Sequence, residues 1–186
     1  KMSEIICRPE NTAIGRSQPS APRRYLLATR CIPGSFRVLD FGCGRGRDAQ
    51  YLNKRCNIDA TGYDPNFPEF ADWPEGEFDV VLMTYVLNVI DTMTERMTVL
   101  SEAWSKVKSG GSLFITTRTV RDIQRAASAK TPWISHNDGY WSDPRRGMFQ
   151  IGMCMETLEY MWAYQKETQS FKCIKQNPFI VEIKKK

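Results

Sequence analysis

Residues Val38–Leu52 read VLDFGCGRGRDAQYL: an apolar run, an acid near its end, three glycines at alternate positions, and the start of a helix-like stretch. This order of strand, glycine loop and helix decides the fold. In a parallel α/β sheet such a loop lies at the carboxyl end of its strand, where ligands bind. Three ligands compete for it. A phosphate-cradling P-loop needs G-x-x-x-x-G-K-[ST], and no lysine or hydroxyl occupies that place. A dinucleotide fingerprint, G-x-G-x-x-G, needs its third glycine one residue beyond Gly46. What stands is D-x-G-x-G-x-G with Asp40 at the strand end, where a carboxylate repels a pyrophosphate and suits a cation. Gly42 and Gly44, lacking Cβ, let backbone approach a ligand closely.

The flanking chain extends the pattern. Residues up to about Pro19 are polar and turn-like. SAPRRYLLATRCIPG (20–34) reads as a short helix capped by Ser20 and closed by Pro33 and Gly34. FRVLDF (36–41) is a strand of the continuous apolar kind that a sheet covered on both faces requires. NIDATGYD (57–64) is a second strand ending in Asp64, and EFDVVLMTYVLNVI (77–90) begins as a third. Thr92 and Glu95 form a capping box for a helix whose Met93, Met97, Leu100, Trp104 and Val107 share one core face, with Gly110 and Gly111 as its stop. SLFITTR (112–118) is a fourth strand. A polar, aromatic stretch follows from Thr119 to about Met153, then a helix over Glu156 to Gln165. SFKCIKQNPFIVEIKKK (170–186) is an antiparallel hairpin about a Gln-Asn-Pro turn. Strands alternating with helices and closed by a hairpin predict one α/β domain: an N-terminal segment and helix (1–34), a ligand-binding core (35–118), a substrate-side insertion (119–165) and the hairpin (166–186).

Composition fits that reading. At 186 residues, 41% hydrophobic and 25% charged, the chain can bury roughly 70% of its unfolded surface. No apolar run approaches the roughly 20 residues that span a bilayer, and no signal peptide is evident. Lys1, ahead of Met2, reads as an added residue. Six cysteines without a C-x-x-C pair and a single histidine argue against zinc, and a core of this size needs no disulfide framework, so reduced thiols in a cytoplasm are expected. The net charge of +5 admits an anionic partner. Arginines gather at Arg8, Arg16, Arg23, Arg24 and Arg30 and again at Arg118, Arg121, Arg125, Arg145 and Arg146. They read either as solvated charge or as a surface for an anionic substrate.

With these motifs in place, the chain resembles the class I S-adenosylmethionine-dependent methyltransferases. VLDFGCGRG is similar to that family's first motif, GYDP to the end of its second strand, FDVVLMTYVLNVI to its fourth strand, and LSEAWSKVKSGGSLFITTR to its fifth with the preceding helix. The resemblance covers about Val38 to Arg118. It implies a Rossmann-like methyltransferase fold, mostly parallel with a C-terminal antiparallel hairpin, and S-adenosyl-L-methionine as cofactor. It assigns cofactor contacts to Asp40, Gly42, Cys43 and Gly44 in the loop, to Asp64 and Pro65 after the second strand, and to Thr84. Asp64 would accept the ribose hydroxyls. A narrower resemblance links NTAIGRSQPSAP, YVLNVI and DGYWSDPRRGMFQIG to small methyltransferase-like proteins found beside DNA phosphorothioation systems and in phage genomes.

The departures matter as much. Only twelve residues, Pro65 to Gly76, separate Asp64 from Glu77, too few for a crossover helix and a strand. The family's third strand is therefore expected to be missing or shortened. Asp72 and Trp73 are the substitutes for its adenine contact, with Trp73 either a stacking wall or a cap on the core. No D/N/S-P-P-Y/F/W motif follows the MTYVLNVI strand and no Pro-Cys pair is present, so neither standard DNA-base chemistry is supported. Tyr85 and Asn88 are expected beside the methyl group, Asn88 orienting cofactor or acceptor or else capping a turn. His136 is either a general base or a packing residue. Trp133, Tyr140, Trp141 and Phe149, interleaved with Arg145 and Arg146, suit base stacking and phosphate pairing or else a lid. The expected activity is methyl transfer to an acceptor the sequence does not name, nucleic acid or nucleotide included. The alternatives are a non-catalytic cofactor-binding protein and a lyase using the same cofactor.

Overall fold

The first helix, α1 (Ala21–Ala28), begins where expected: the Ser20 side chain accepts the Arg23 N–H, and Pro22 fills a first-turn position that needs no donor. A computed structural model describes this element within residues 5–15, 18–129 and 133–186; Lys1 and Arg16 lie outside them. The chain continues through β1 (Arg37–Phe41), α2 (Arg47–Cys56), β2 (Asp59–Tyr63), β3 (Phe78–Thr84), α3 (Met93–Ser105) and β4 (Val107–Thr117). Then come α4 (Val120–Ala127), β5 (Ile134–His136), β6 (Gly139–Asp143), β7 (Met148–Gln150), α5 (Met155–Trp162), β8 (Thr168–Gln176) and β9 (Phe179–Lys185).

The main sheet runs β2-β1-β3-β4-β9-β8. Its first four strands are parallel, and β9 joins β4 and β8 antiparallel. This is the Rossmann-like order anticipated, hairpin included. No strand forms between Asp64 and Phe78, where a single 3-10 turn, Pro68–Phe70, makes the connection. Alternate residues of β1 serve two cores. Leu39 and Phe41 join α3 and α5 on one face, while Val38 packs with Leu26 of α1 and with Ala49 and Leu52 of α2 on the other. Burial on both faces is why β1 reads as unbroken apolar sequence. Asp40 shares the parity of Val38 and therefore faces α1 and α2.

Three local expectations are corrected. Gly110 and Gly111 do not stop α3, which ends at Ser105; they lie inside β4, where a register shift brings Gly111 against the backbone of Asp79. Thr92 caps Glu95 N–H, but the reciprocal box forms at Thr119 and Asp122 on α4. The last helix ends at Trp162, short of Gln165. The polar, aromatic stretch, for which no element was assigned, folds as α4 and a three-stranded antiparallel sheet, β5-β6-β7, whose Trp141 and Phe149 enter the α3 core.

Candidate functional site

A cavity of about 1140 Å³ opens at the carboxyl ends of β1, β2, β3 and β4, where it meets Asp40, Tyr63, Thr84 and Thr117. The site sits where strand order reverses between β1 and its two neighbours, as open α/β sheets dictate. Residues 5–15 run beside it as a strap, with Ile6 to Glu10 and Thr12 to Ile14 on its wall. The β6–β7 turn holds the strap. Arg8 N–H donates to Gly147 O at 2.8 Å, Asn11 Nδ2 to Arg146 O at 2.7 Å, and Arg146 Nη2 back to Asn11 O at 3.3 Å. Nothing in the strap's polar sequence announces this, because it has neither helical nor strand period and its anchors are mostly backbone groups.

Asp40 is the charged centre of the loop. Its side chain is 5% exposed, and Arg23 Nη2 donates to its Oδ1 at 3.0 Å. Asp48 Oδ2 lies 3.7 Å from the same nitrogen and accepts the Ser20 hydroxyl, while Asp48 Oδ1 accepts the Ser20 N–H. Burial pushes the Asp40 carboxyl up to about 6, Arg23 opposing the rise while Asp48 and Asp64 add to it. The sequence offered Ser20 as a helix cap and Arg23 as one of the N-terminal arginines, and assigned neither to this loop. Their one visible signal is an arginine on the same helical stripe as Leu26.

Asp64 closes the loop from the other side. Its Oδ2 accepts Gly44 N–H at 2.9 Å and its Oδ1 accepts Asn66 N–H at 3.0 Å. An ionised carboxylate has about four acceptor positions, so both oxygens retain capacity for a diol. Gly42 (φ +75°) lies so close to Val86 that a Cβ would come within 2.5 Å of its Cγ2. Gly46 (φ +67°) has a different reason: the Phe70 ring occupies the place of its Cβ. Cys43 and Pro65 both line the cavity. Burial, then Asp40 and Asp64, pushes the Cys43 thiol far up, which keeps it neutral.

Thr84 and Tyr85 reach the cavity as expected. Tyr85 has φ +60°, fixed by its N–H donating to Thr116 O at 2.9 Å, a conformation uncommon for a bulky residue and concentrated at functional sites. Asn88 also lines the cavity, with its amide engaged. It is buried, its Nδ2 donates to Ile151 O at 2.6 Å and its Oδ1 accepts Arg118 N–H at 3.0 Å. Its amide therefore ties β4 to the end of β7 from the Leu87–Val89 turn, the turn role that the sequence left open beside the orienting one. His136 is a correction: it stacks on Trp141 at 4.7 Å, lies 3.6 Å from Asp91 and does not line the cavity. Trp141 and Phe149 are core residues with no face for a base. Trp73 caps Tyr63 and Phe41 edge-on, with Lys106 Nζ over its ring, and neither it nor Asp72 reaches the cavity. In the gap left by the short connection, Glu95, Val99 and Glu102 of α3 form that wall instead. Their four- and three-residue spacing was legible, but the face they belong to was not.

At the β4 end the cavity is lined by Thr117, Arg118, Asp122, Arg125, Gln150 and the Asn177–Phe179 turn. The six cysteines are free thiols. Among the described residues, no helix is long and apolar enough to cross a membrane, and no group of three His, Cys, Asp or Glu is placed to hold a metal ion.

Comparison with known proteins agrees with this geometry. A family model described as "Methyltransferase domain" matches residues 13–168. Ribosomal protein L11 methyltransferases of Paraburkholderia phymatum and Burkholderia thailandensis are each 30% identical over 117 residues, 52% of this chain and 37% of theirs. The chain thus spans little over a third of the length of these curated relatives. An S-adenosylmethionine-dependent methyltransferase of Methanosarcina mazei superposes with a TM-score of 0.62 at 14% identity, covering 90% of this chain and 99% of that one. An amino pentose methyltransferase of Micromonospora echinaspora with S-adenosylmethionine bound gives 0.59 at 13%, covering 89% of each. The Burkholderia thailandensis 1,6-didemethyltoxoflavin-N1-methyltransferase, with its namesake substrate and S-adenosylhomocysteine bound, gives 0.57 at 17%, covering 89% of this chain and 77% of that one. At such identities the likeness is one of fold.

Proposed function

The chain belongs to the methyltransferase-domain family, whose model matches residues 13–168, and from that membership we propose that it transfers a methyl group from S-adenosylmethionine to a small-molecule acceptor, nucleotides included. One observation carries the acceptor class: the cavity of about 1140 Å³ is walled by the strap and by α4. Ligand sites commonly measure about 300–1,000 Å³, so this one has room for a cofactor and a second small molecule. The burial of Trp141 and Phe149 takes two of the four aromatics of that stretch out of any stacking surface for a nucleic-acid strand, leaving Trp133 and Tyr140 half-buried beside each other.

The residues fit the cofactor. Asp40 places a carboxylate where an ammonium or sulfonium gains from it, the glycine loop presents backbone without Cβ, and Asp64 keeps acceptor capacity for a ribose. When bound, S-adenosylmethionine supplies an electrophilic methyl on sulfur, and in-line alignment with the acceptor provides much of the rate. Tyr85, held at positive φ, stands with Thr84 at the junction between the cofactor and acceptor ends. Arg118 and Arg125 at the acceptor end suit an anionic group, with Arg118 steadied by Gln150 at 3.4 Å. The narrower likeness to proteins of phage genomes and DNA phosphorothioation loci is the reason to test nucleotides and nucleic acids beside other metabolites.

The test is incubation with methyl-labelled cofactor and a cell extract separated into small molecules, protein, RNA and DNA. Label in the small-molecule fraction, abolished by Asp40→Ala, supports the reading. Label in a polymer overturns the acceptor class. Cofactor cleaved without any labelled acceptor turns the reading to a lyase, and intact cofactor that binds without turnover turns it to a sensor.

A further inference from the structure

Among the described residues two arginines are buried completely, and they are held differently. Arg96 has each nitrogen engaged: Nε donates to Ile90 O at 2.9 Å, and Nη1 and Nη2 donate to Asp138 at 2.8 and 2.6 Å. Such an arginine is a structural tie between α3 and the β5–β6 turn. Arg23 has one engaged nitrogen, Nη2, and its buried Nε and Nη1 have no hydrogen-bond partner among the described residues. Leaving buried donors unpaired is costly, and a role in packing alone does not require a charge there. What the position does provide is a permanent cation 3.0 Å from Asp40, directly behind the wall of the cavity.

We propose that Arg23 is a positioning residue that keeps Asp40 in its carboxylate form, and thereby makes binding of a cationic cofactor depend on the charge of a side chain that does not touch it. The proposal rests on the methyl-transfer reading above. The charged groups facing Asp40 are few and each comes from a separate element: Arg23 on α1, Asp48 on α2 and Asp64 after β2, with the neutral Cys43 thiol in the loop. Burial and both acids favour the protonated form, and among the described residues Arg23 opposes them. Without it, three influences of one sign act on a carboxyl that is only 5% exposed.

The experiment measures S-adenosylmethionine affinity by calorimetry from pH 5 to 9 in the native chain, Arg23→Lys and Arg23→Met. In ligand-free samples it also follows the carboxyl carbon resonance of Asp40 over the same range. An opposite charge at this distance displaces a carboxyl by about 1–3 pH units. Arg23→Met is therefore expected to bind about tenfold more weakly at pH 7 and to recover at higher pH, with its Asp40 resonance titrating later, while Arg23→Lys follows the native curve. A loss of affinity equal at every pH, or an unmoved Asp40 resonance, overturns the proposal. Should Arg23→Met fail to fold, Asp40→Asn decides: a native-like pH dependence of affinity in that variant overturns it as well. Failure of the native chain to bind at any pH overturns the methyl-transfer reading, and is told apart because the Asp40 titration is read without ligand.

Discussion

At Asp40 the needs of stability and of ligand binding oppose each other. The group's folded value, about 6, lies above the ordinary 3.8, so between these values the folded chain holds a proton that the unfolded chain has released. By linkage, Asp40's contribution to stability is greatest below about pH 4 and declines as pH rises to about 6, by on the order of 3 kcal/mol at most. Urea titrations of the native chain and Asp40→Asn from pH 4 to 7 should therefore diverge, the native chain losing ground to the variant with rising pH. Parallel curves would contradict the assigned environment. Gly46 makes the opposite point, since its glycine serves packing instead of a ligand. Its positive φ and the Phe70 ring in place of a Cβ predict that Gly46→Ala costs roughly 1–3 kcal/mol. Thermal unfolding should show part of that restored in the double variant with Phe70→Ala.

Among the elements, the strap and the β6–β7 turn work as one unit. Gly147, at φ +63°, is the hinge of their contact, because a Cβ there would collide with Ile6 O. Gly147→Ala is expected to lift residues 5–15 from the cavity, weakening cofactor binding several-fold and speeding proteolytic cleavage within the strap. The melting temperature should move little, since only Ile5 and Cys7 of the strap pack against the core. A large fall in melting temperature with unchanged cofactor affinity would show the turn to be a folding element instead. The same element accounts for a burial effect: packed between the core and Val89 O, the Cys7 thiol is pushed up to about 12, first by burial and then by Asp91.

For the whole molecule, the expected consequence of the proposed function is ligand-linked stabilisation. At a concentration of 100 times its Kd, S-adenosylmethionine should add about 2.7 kcal/mol. For a chain of this size that raises the melting temperature by roughly 5–11 °C. Scanning calorimetry with and without cofactor checks it, and no shift at saturating cofactor would contradict binding to the folded state.

What the sequence determined by itself was whatever is written in local order. The strand, glycine loop and helix around Asp40, the acid after β2, the missing strand before β3 and the closing hairpin all follow from residue periodicity, chain length and turn chemistry, which act over a few positions. The residues proposed for the cofactor were legible through those motifs and the family resemblance they carry, since Asp40, Gly44 and Asp64 lie within two short stretches. Only the tertiary structure decided the rest. Asn88 and His136 are polar residues of ambiguous sequence, and what consumed Asn88's amide was the backbone of Arg118 and Ile151, 30 and 63 residues away. Trp141 and Phe149 carry the composition of a stacking surface but fold inward, because the sheet they form needs an apolar face against α3. The strap became a wall through partners about 135 residues distant, and Arg23 met Asp40 because alternation along β1 turned that one acid toward α1. Burial and long-range pairing assign these roles, and neither is encoded in the spacing of neighbouring residues.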